Sequence, residues 1–137
     1  MNMKKVSIES VLGATYPKGS EQITIFIPEK DRNGKAINQK KGTDNTLEIL
    51  GTLFRGATAF PPGKGVWRDD SKGGKLLFEK TVMVISYTTH SELMNKLKEL
   101  REFLHRFGQE THQGEVGLII NDTYYGISTY DTHEENI

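Results

Sequence analysis

The chain has 137 residues, no cysteine, and 18 Lys or Arg set against 18 Asp or Glu. That length supports one domain with a real core and is too short for two. The missing thiols exclude disulfides, thiolate metal sites and cysteine nucleophiles, and the charge balance argues against bulk DNA or an anionic membrane as the partner.

In chain order, residues 1–20 read as a short extended lead-in with Val6, Ile8 and Val11 partly alternating. They carry no secretory apolar run, and no segment of the sequence is apolar over a bilayer's width, so a cytoplasmic setting with no membrane partner is expected. From Gln22 to Ile27 the alternation is strict: Ile23, Ile25 and Ile27 point one way, Thr24 and Phe26 the other, which predicts a strand with one buried face. Pro28 ends it, and Asp31-Arg32-Asn33-Gly34 signals a turn. A polar connection through Lys40-Lys41-Gly42 then leads to a first helix. Asp44 is its expected N-cap, Leu47, Leu50, Phe54 and Ala57 form its apolar stripe, and Gly56 is its left-handed terminator, with the helix closed by Ala59.

Phe60-Pro-Pro-Gly-Lys-Gly-Val-Trp67 follows, carrying the only tryptophan and leading straight into Arg68-Asp69-Asp70. Proline and glycine at this density predict a stiff, specific loop over 61–70, with a short strand at Gly65 to Arg68. Asp69 to Lys75, with Gly73-Gly74, makes a hairpin connection to a long strand from Leu76 to Thr88, apolar on both sides between Val82 and Ile85. Thr89 and Glu92 form a capping box for a second helix, whose stripe is Leu93, Leu97, Leu100, Leu104 and Phe107 and whose expected end is Gly108. Val116 to Ile120 and Tyr124 to Ile127 read as two strands joined at Asn121-Asp122-Thr123. That triplet also matches a glycosylation sequon but is more simply a turn. Residues 128–137 read as a frayed tail, so the single domain spans 1–137 with its core over 21–127.

The order strand, helix, strand, strand, helix, strand over Gln22 to Ile127 resembles the ferredoxin-like α+β plait superfamily, with Tyr124 to Ile127 as an added hairpin strand. The resemblance lies in element order and not in residue motifs. It implies an antiparallel sheet with two helices on one face, and a self-associating protein, a homodimer or other homo-oligomer, because one sheet face is left uncovered.

Candidate chemistry is sparse. Six residues separate Gly56 from Gly63-Lys64, no hydroxyl follows, and the order is helix then strand, so a Walker loop is rejected; a looser nest of backbone donors is the remaining anion-binding form. If the hairpin brings Trp67 and Arg68 near Glu79, then an aromatic, a cation and a carboxylate converge on the sheet, with Tyr87 on the same side of the long strand as Glu79. The plain alternative is a cross-strand salt bridge. His90, His105, His112 and His133 show no metal-binding spacing, and no cofactor or metal is expected. Nucleic acid is disfavoured, since the basic-aromatic pattern of RNA-binding plaits is missing.

Charge is unevenly spread, with ten Lys or Arg against five acids between Lys30 and Lys75, and six acids with no Lys or Arg from Gln109 onward. These features predict a binding or regulatory protein rather than an enzyme. Its candidate ligand-binding residues are Lys64, Trp67, Arg68, Glu79 and Tyr87, facing a small anionic ligand or a protein partner. Two alternatives are a small nuclease or other hydrolase using Glu29, Asp31 and Glu79, and a structural subunit of a larger complex.

Overall fold

The computed structural model describes residues 7–14 and 19–131. Among them are three α-helices, α1 (Ile8–Leu12), α2 (Gln39–Phe54) and α3 (His90–Glu110). One antiparallel sheet holds six strands: β1 (Glu21–Ile27), β2 (Thr58–Ala59), β3 (Gly63–Asp69), β4 (Lys75–Thr88), β5 (Val116–Ile120) and β6 (Thr123–Ile127). No described helix is long and apolar enough to cross a membrane.

The alternation of β1 places it at the sheet's centre. It pairs with β4 from Glu21↔Thr88 to Ile27↔Val82 and with β5 from Ile23↔Ile120 to Ile25↔Leu118. Ile23, Ile25 and Ile27 are fully buried and pack with Val82, Val84, Val116 and Leu118 of the neighbouring strands. Leu50, Leu53 and Phe54 of α2 and Leu93, Leu100, Leu104 and Phe107 of α3 complete the same cluster. Each such side chain contributes about 1.5–3 kcal/mol of burial. Met83, Tyr87 and Tyr124, on strands of the same sheet, stay exposed. The strand order is β2-β4-β1-β5-β6, with β3 paired to β4 alone. This α+β architecture is compatible with a plait.

Helix boundaries depart from the sequence expectation at several points. Residues 8–12, read as extended, form the short helix α1, capped by Ser7, whose Oγ accepts the Ser10 N–H at 3.1 Å; residues 1–6 and 15–18 of the lead-in lie outside the described residues. Helix α2 starts at Gln39, not after Asp44: Asn38 is the N-cap, its Oδ1 accepting the Lys41 N–H at 3.0 Å. Asp44 instead pairs with Lys40 Nζ at 2.7 Å.

The reason for the early start lies in the tertiary structure. The Gln39 amide donates to Ile27 O at 2.9 Å and Lys80 O at 3.0 Å, bolting the first turn to two strands. Gly42, read as part of a connection, is buried where a Cβ would sit 3.1 Å from Ile27 Cγ2 and 3.3 Å from Phe107 Cε2. It is a contact point between helix and core, not a breaker. Helix α3 likewise passes through Gly108 to Glu110, with the Tyr130 ring lying over that glycine. The tail expected to fray over 128–137 falls outside the described residues at 132–137. Before that, Tyr130 Oη donates to Gln113 O at 2.8 Å, and the Asp131 N–H donates to His105 Nδ1 at 2.8 Å.

The two strands flanking Asn121 form a two-residue hairpin with Ile120↔Thr123 as the closing pair. Asn121 adopts φ 58°, a left-handed turn conformation that asparagine tolerates. Its side chain and backbone both grip Gln22, through Gln22 N–H to Asn121 Oδ1 at 2.9 Å and Asn121 N–H to Gln22 O at 2.8 Å.

Candidate functional site

A cleft of about 660 Å³ opens beside the last residues of β4, between the end of α2 and the start of α3. The end of α2 makes its first wall. Arg55, not Gly56, takes the left-handed terminating conformation, with φ 74° and its N–H donating to Gly51 O. Gly56 then offers its carbonyl to Ser86 Oγ at 2.6 Å, which holds the turn against β4. Thr58 and Ala59 pair with Ile85 and Val84, and the Phe60 N–H donates to Met83 O at 2.9 Å. This short pairing sets Phe60 on the cleft, 44% exposed, near Tyr87, 61% exposed.

The start of α3 makes the second wall. Thr89 caps the helix, its Oγ1 accepting the Glu92 N–H at 3.1 Å. The Glu92 carboxylate faces the cleft: Oε2 accepts from Thr88 Oγ1 at 3.0 Å, and Oε1 meets Arg55 Nη2 at 3.0 Å. The Arg55 side chain is 84% exposed, so screening leaves the pair little stabilising value, and its effect is to orient the carboxylate.

Chemically, the cleft offers two aromatic faces, an acceptor-only carboxylate, a guanidinium and a hydroxyl. Aromatic faces stack flat rings, a carboxylate accepts from ligand hydroxyls, and a guanidinium pairs with an anionic group.

The five residues singled out in the sequence do not form one site. Tyr87 lines the cleft. Glu79 stands eight residues earlier in β4, about 26 Å away along an extended strand, too far to share a small ligand with Tyr87. In the segment 61–70 the strand expected at Gly65 to Arg68 is present and longer, Gly63–Asp69, laddered to β4 from Gly63↔Thr81 to Asp69↔Lys75, which leaves little of the segment as loop. Its backbone donors follow a sheet pattern instead of forming the loose anion nest considered above.

Register also divides the expected trio. Directly opposed residues share a side, so Trp67 (opposite Leu77) and Glu79 (opposite Gly65) lie on one side of the ribbon. Lys64 (opposite Lys80) and Arg68 (opposite Leu76) lie on the other. Arg68 does not reach Glu79; its Nε donates to Asp70 Oδ1 at 2.6 Å. Lys64 Nζ sits 5.3 Å from the Phe78 ring centroid. Trp67 is 50% exposed, outward as expected.

Burial, reinforced by the nearby Glu29 charge and partly offset by Lys30, pushes the Glu79 carboxyl above its ordinary range. The other two acids of the hydrolase alternative have structural partners. Glu29 Oε1 accepts the Lys80 N–H at 2.8 Å. Asp31 Oδ1 accepts from the Asn33 and Lys35 amides at 2.8 and 2.9 Å, and the Lys35 bond is the main cause of its lowered pKa. Among the described residues no group of three His, Asp or Glu is placed to hold a metal ion.

Arg55, Phe60, Thr88 and Glu92 were not read from sequence as site residues. Glu92 carried a signal, the capping box, but that pattern assigns its carboxylate to the helix's own backbone and not to a neighbouring helix end.

Comparison with known proteins places the fold. No family model matches the chain, and no curated protein matches it in sequence. Among solved structures, it is similar to a phage SAM lyase in complex with S-methyl-5'-thioadenosine, at TM-score 0.61 and 16% identity, over 82% of this chain and 92% of that one. It is also similar to a phage SAM lyase in the apo state, at TM-score 0.55 and 16% identity, over 81% and 90% of the two chains. The similarity is one of fold.

Proposed function

We propose that the chain is a small-ligand-binding protein whose site is the cleft between Arg55, Phe60, Tyr87 and Glu92, and that its ligand is an adenine nucleoside thioether or sulfonium of the SAM type. The observation that carries this reading is the Glu92 carboxylate, oriented by Thr88 and Arg55 beside two exposed aromatic rings. A purine stacks on Phe60 or Tyr87, ribose hydroxyls donate to Glu92, and a carboxylate-bearing tail meets Arg55. The fold likeness to a protein that binds S-methyl-5'-thioadenosine supports the ligand class.

Calorimetric titration of the full chain with S-methyl-5'-thioadenosine and with SAM tests this reading. Saturable binding is expected, weakened about tenfold to a hundredfold in Glu92→Gln, the worth of a hydrogen bond to a charged group. No binding of either compound, or equal binding by the variant, overturns it. The enzymatic form of the reading, SAM cleavage, is checked in the same samples by chromatography for released S-methyl-5'-thioadenosine.

A ferredoxin-like plait with its helices on one face, a cytoplasmic setting, and self-association through the sheet belong to the same proposal. The exposed Met83, Tyr87 and Tyr124 support the last of these. A protein partner or anionic ligand at Lys64, Trp67 and Arg68 is a separate reading that rests on the exposure of these three residues and the charge of the two cations. Trp67→Ala with Arg68→Ala, leaving every interaction intact, would remove it.

A further inference from the structure

The pairing of β3 with the first half of β4 makes a two-stranded ribbon with which no other described strand pairs. On one of its sides Lys64, Val66 and Arg68 stand with Leu76, Phe78 and Lys80. Val66, Leu76 and Phe78 are 54%, 56% and 55% exposed, an apolar centre with Lys64 Nζ over the Phe78 ring, Lys80 beside it, and Arg68, itself paired with Asp70, at its rim. An exposed apolar cluster inside a charged rim has the anatomy of an interface.

The opposite edge of the sheet has the complementary chemistry. Among the described residues β6 pairs with β5 alone, which leaves its outer edge without a described strand partner. Tyr125 is 49% exposed on this strand, while the Tyr124 ring lies back over Gly117 and gives its hydroxyl to Glu115. Glu115 and Asp122 are exposed beside them, in a stretch that holds six acids and no Lys or Arg from Gln109 onward.

We propose that the ribbon of one copy docks on the β6 edge of a second copy. The basic rim then meets acids, and the apolar centre meets tyrosine. The two surfaces differ, so the contact is head-to-tail, each chain offers one of each, and closure gives a ring. This inference rests on the self-association part of the proposed function and is independent of the ligand reading.

Solution mass of the full chain, by light scattering over a range of concentration and salt, tests it. The wild-type protein is expected above monomer mass, with assembly weakening as salt rises. Phe78→Glu on the ribbon and Tyr125→Lys on the edge should each give monomers. Mixed in equal amounts, they should form a complex of two chains, because one intact edge meets one intact ribbon.

Circular dichroism checks that each variant is folded, and Leu76→Ser and Tyr125→Ser replace any that is not. A wild-type monomer overturns self-association altogether. Assembly that survives both variants but is lost in Met83→Lys keeps self-association and overturns this interface. Absence of complex in the mixture overturns the head-to-tail arrangement, as does a wild-type monomer whose ribbon binds a labelled oligonucleotide instead.

Discussion

Arg55 Nη2 lies 3.0 Å from Glu92 Oε1, which ties the residue that ends α2 to the first turn of α3. The contact joins two helix ends distant in sequence at the mouth of the cleft. Arg55 at the same time holds a left-handed backbone conformation, φ 74°, better suited to glycine.

That conformation yields the first prediction. A left-handed residue with a Cβ costs about 1–2 kcal/mol, while glycine carries about 0.5–1 kcal/mol of extra chain entropy to lose on folding. Arg55→Gly and Arg55→Ala both remove the ion pair, so their difference isolates the strain at φ 74°. Arg55→Gly is expected to be the more stable of the two by about 0.5–1 kcal/mol in urea unfolding. An alanine variant as stable as the glycine one would show that Arg55 is not held left-handed in solution.

The start of α2 supplies the second. Asn38→Ala removes an N-cap and should cost about 1 kcal/mol. Asp44→Ala removes an exposed pair with Lys40 and should cost less than about 0.5 kcal/mol. Chemical denaturation of the two variants side by side decides whether the helix begins at Gln39, and the reverse ranking would place its start near Asp44.

His105 sets a pH dependence. It is buried, its Nδ1 accepts the Asp131 N–H, and Tyr130 meets its ring edge-on at 6.1 Å between centroids. Burial, with the Arg101 charge, pulls its pKa below the ordinary 6.5, and Asp131 opposes in part. A histidine held neutral in the folded state binds fewer protons than in the unfolded chain. Its stabilising effect is therefore complete above about pH 6.5 and is lost as pH falls through the depressed folded value. Melting temperature should drop over that acidic window, and His105→Gln should flatten this part of the profile. An identical profile in the variant would assign the loss to other groups.

Tyr124 predicts an alkaline signature. Its hydroxyl donates to Glu115 Oε2 at 2.9 Å, and burial with this carboxylate pushes its pKa up to about 12. Ultraviolet titration should show a tyrosine ionising near pH 12, lost in Tyr124→Phe. The raised folded value means the stabilising effect holds below the tyrosine's ordinary pKa of 10 and fades as pH rises toward 12. If the ionisation lost in Tyr124→Phe falls near the ordinary tyrosine pKa of 10.0, the Glu115 contact is not made in solution.

Much of the secondary structure was legible along the chain. Strict alternation placed β1, the long apolar run placed β4, and the heptad-like stripe with Thr89 placed α3, because period and caps are local properties. The pairing of β4 with β1 follows from burial of the isoleucines once both strands exist. Gly42 shows where local reading stops. Its neighbours look like a linker, yet it sits inside a helix because a missing side chain lets α2 approach Ile27 and Phe107. The expected convergence of Trp67, Arg68 and Glu79 failed for a related reason. Only the register, Arg68 opposite Leu76 and Gly65 opposite Glu79, says which side each faces, and a shift of one residue would have reversed it.

The residue order alone therefore specified composition class, the principal strands and the capped second helix, since these depend on neighbours a few positions apart. Tertiary packing decided the candidate site. Arg55 and Phe60 come from one stretch of the chain and Tyr87 and Glu92 from another, and their meeting depends on how two helix ends dock at one strand, which no short-range pattern encodes.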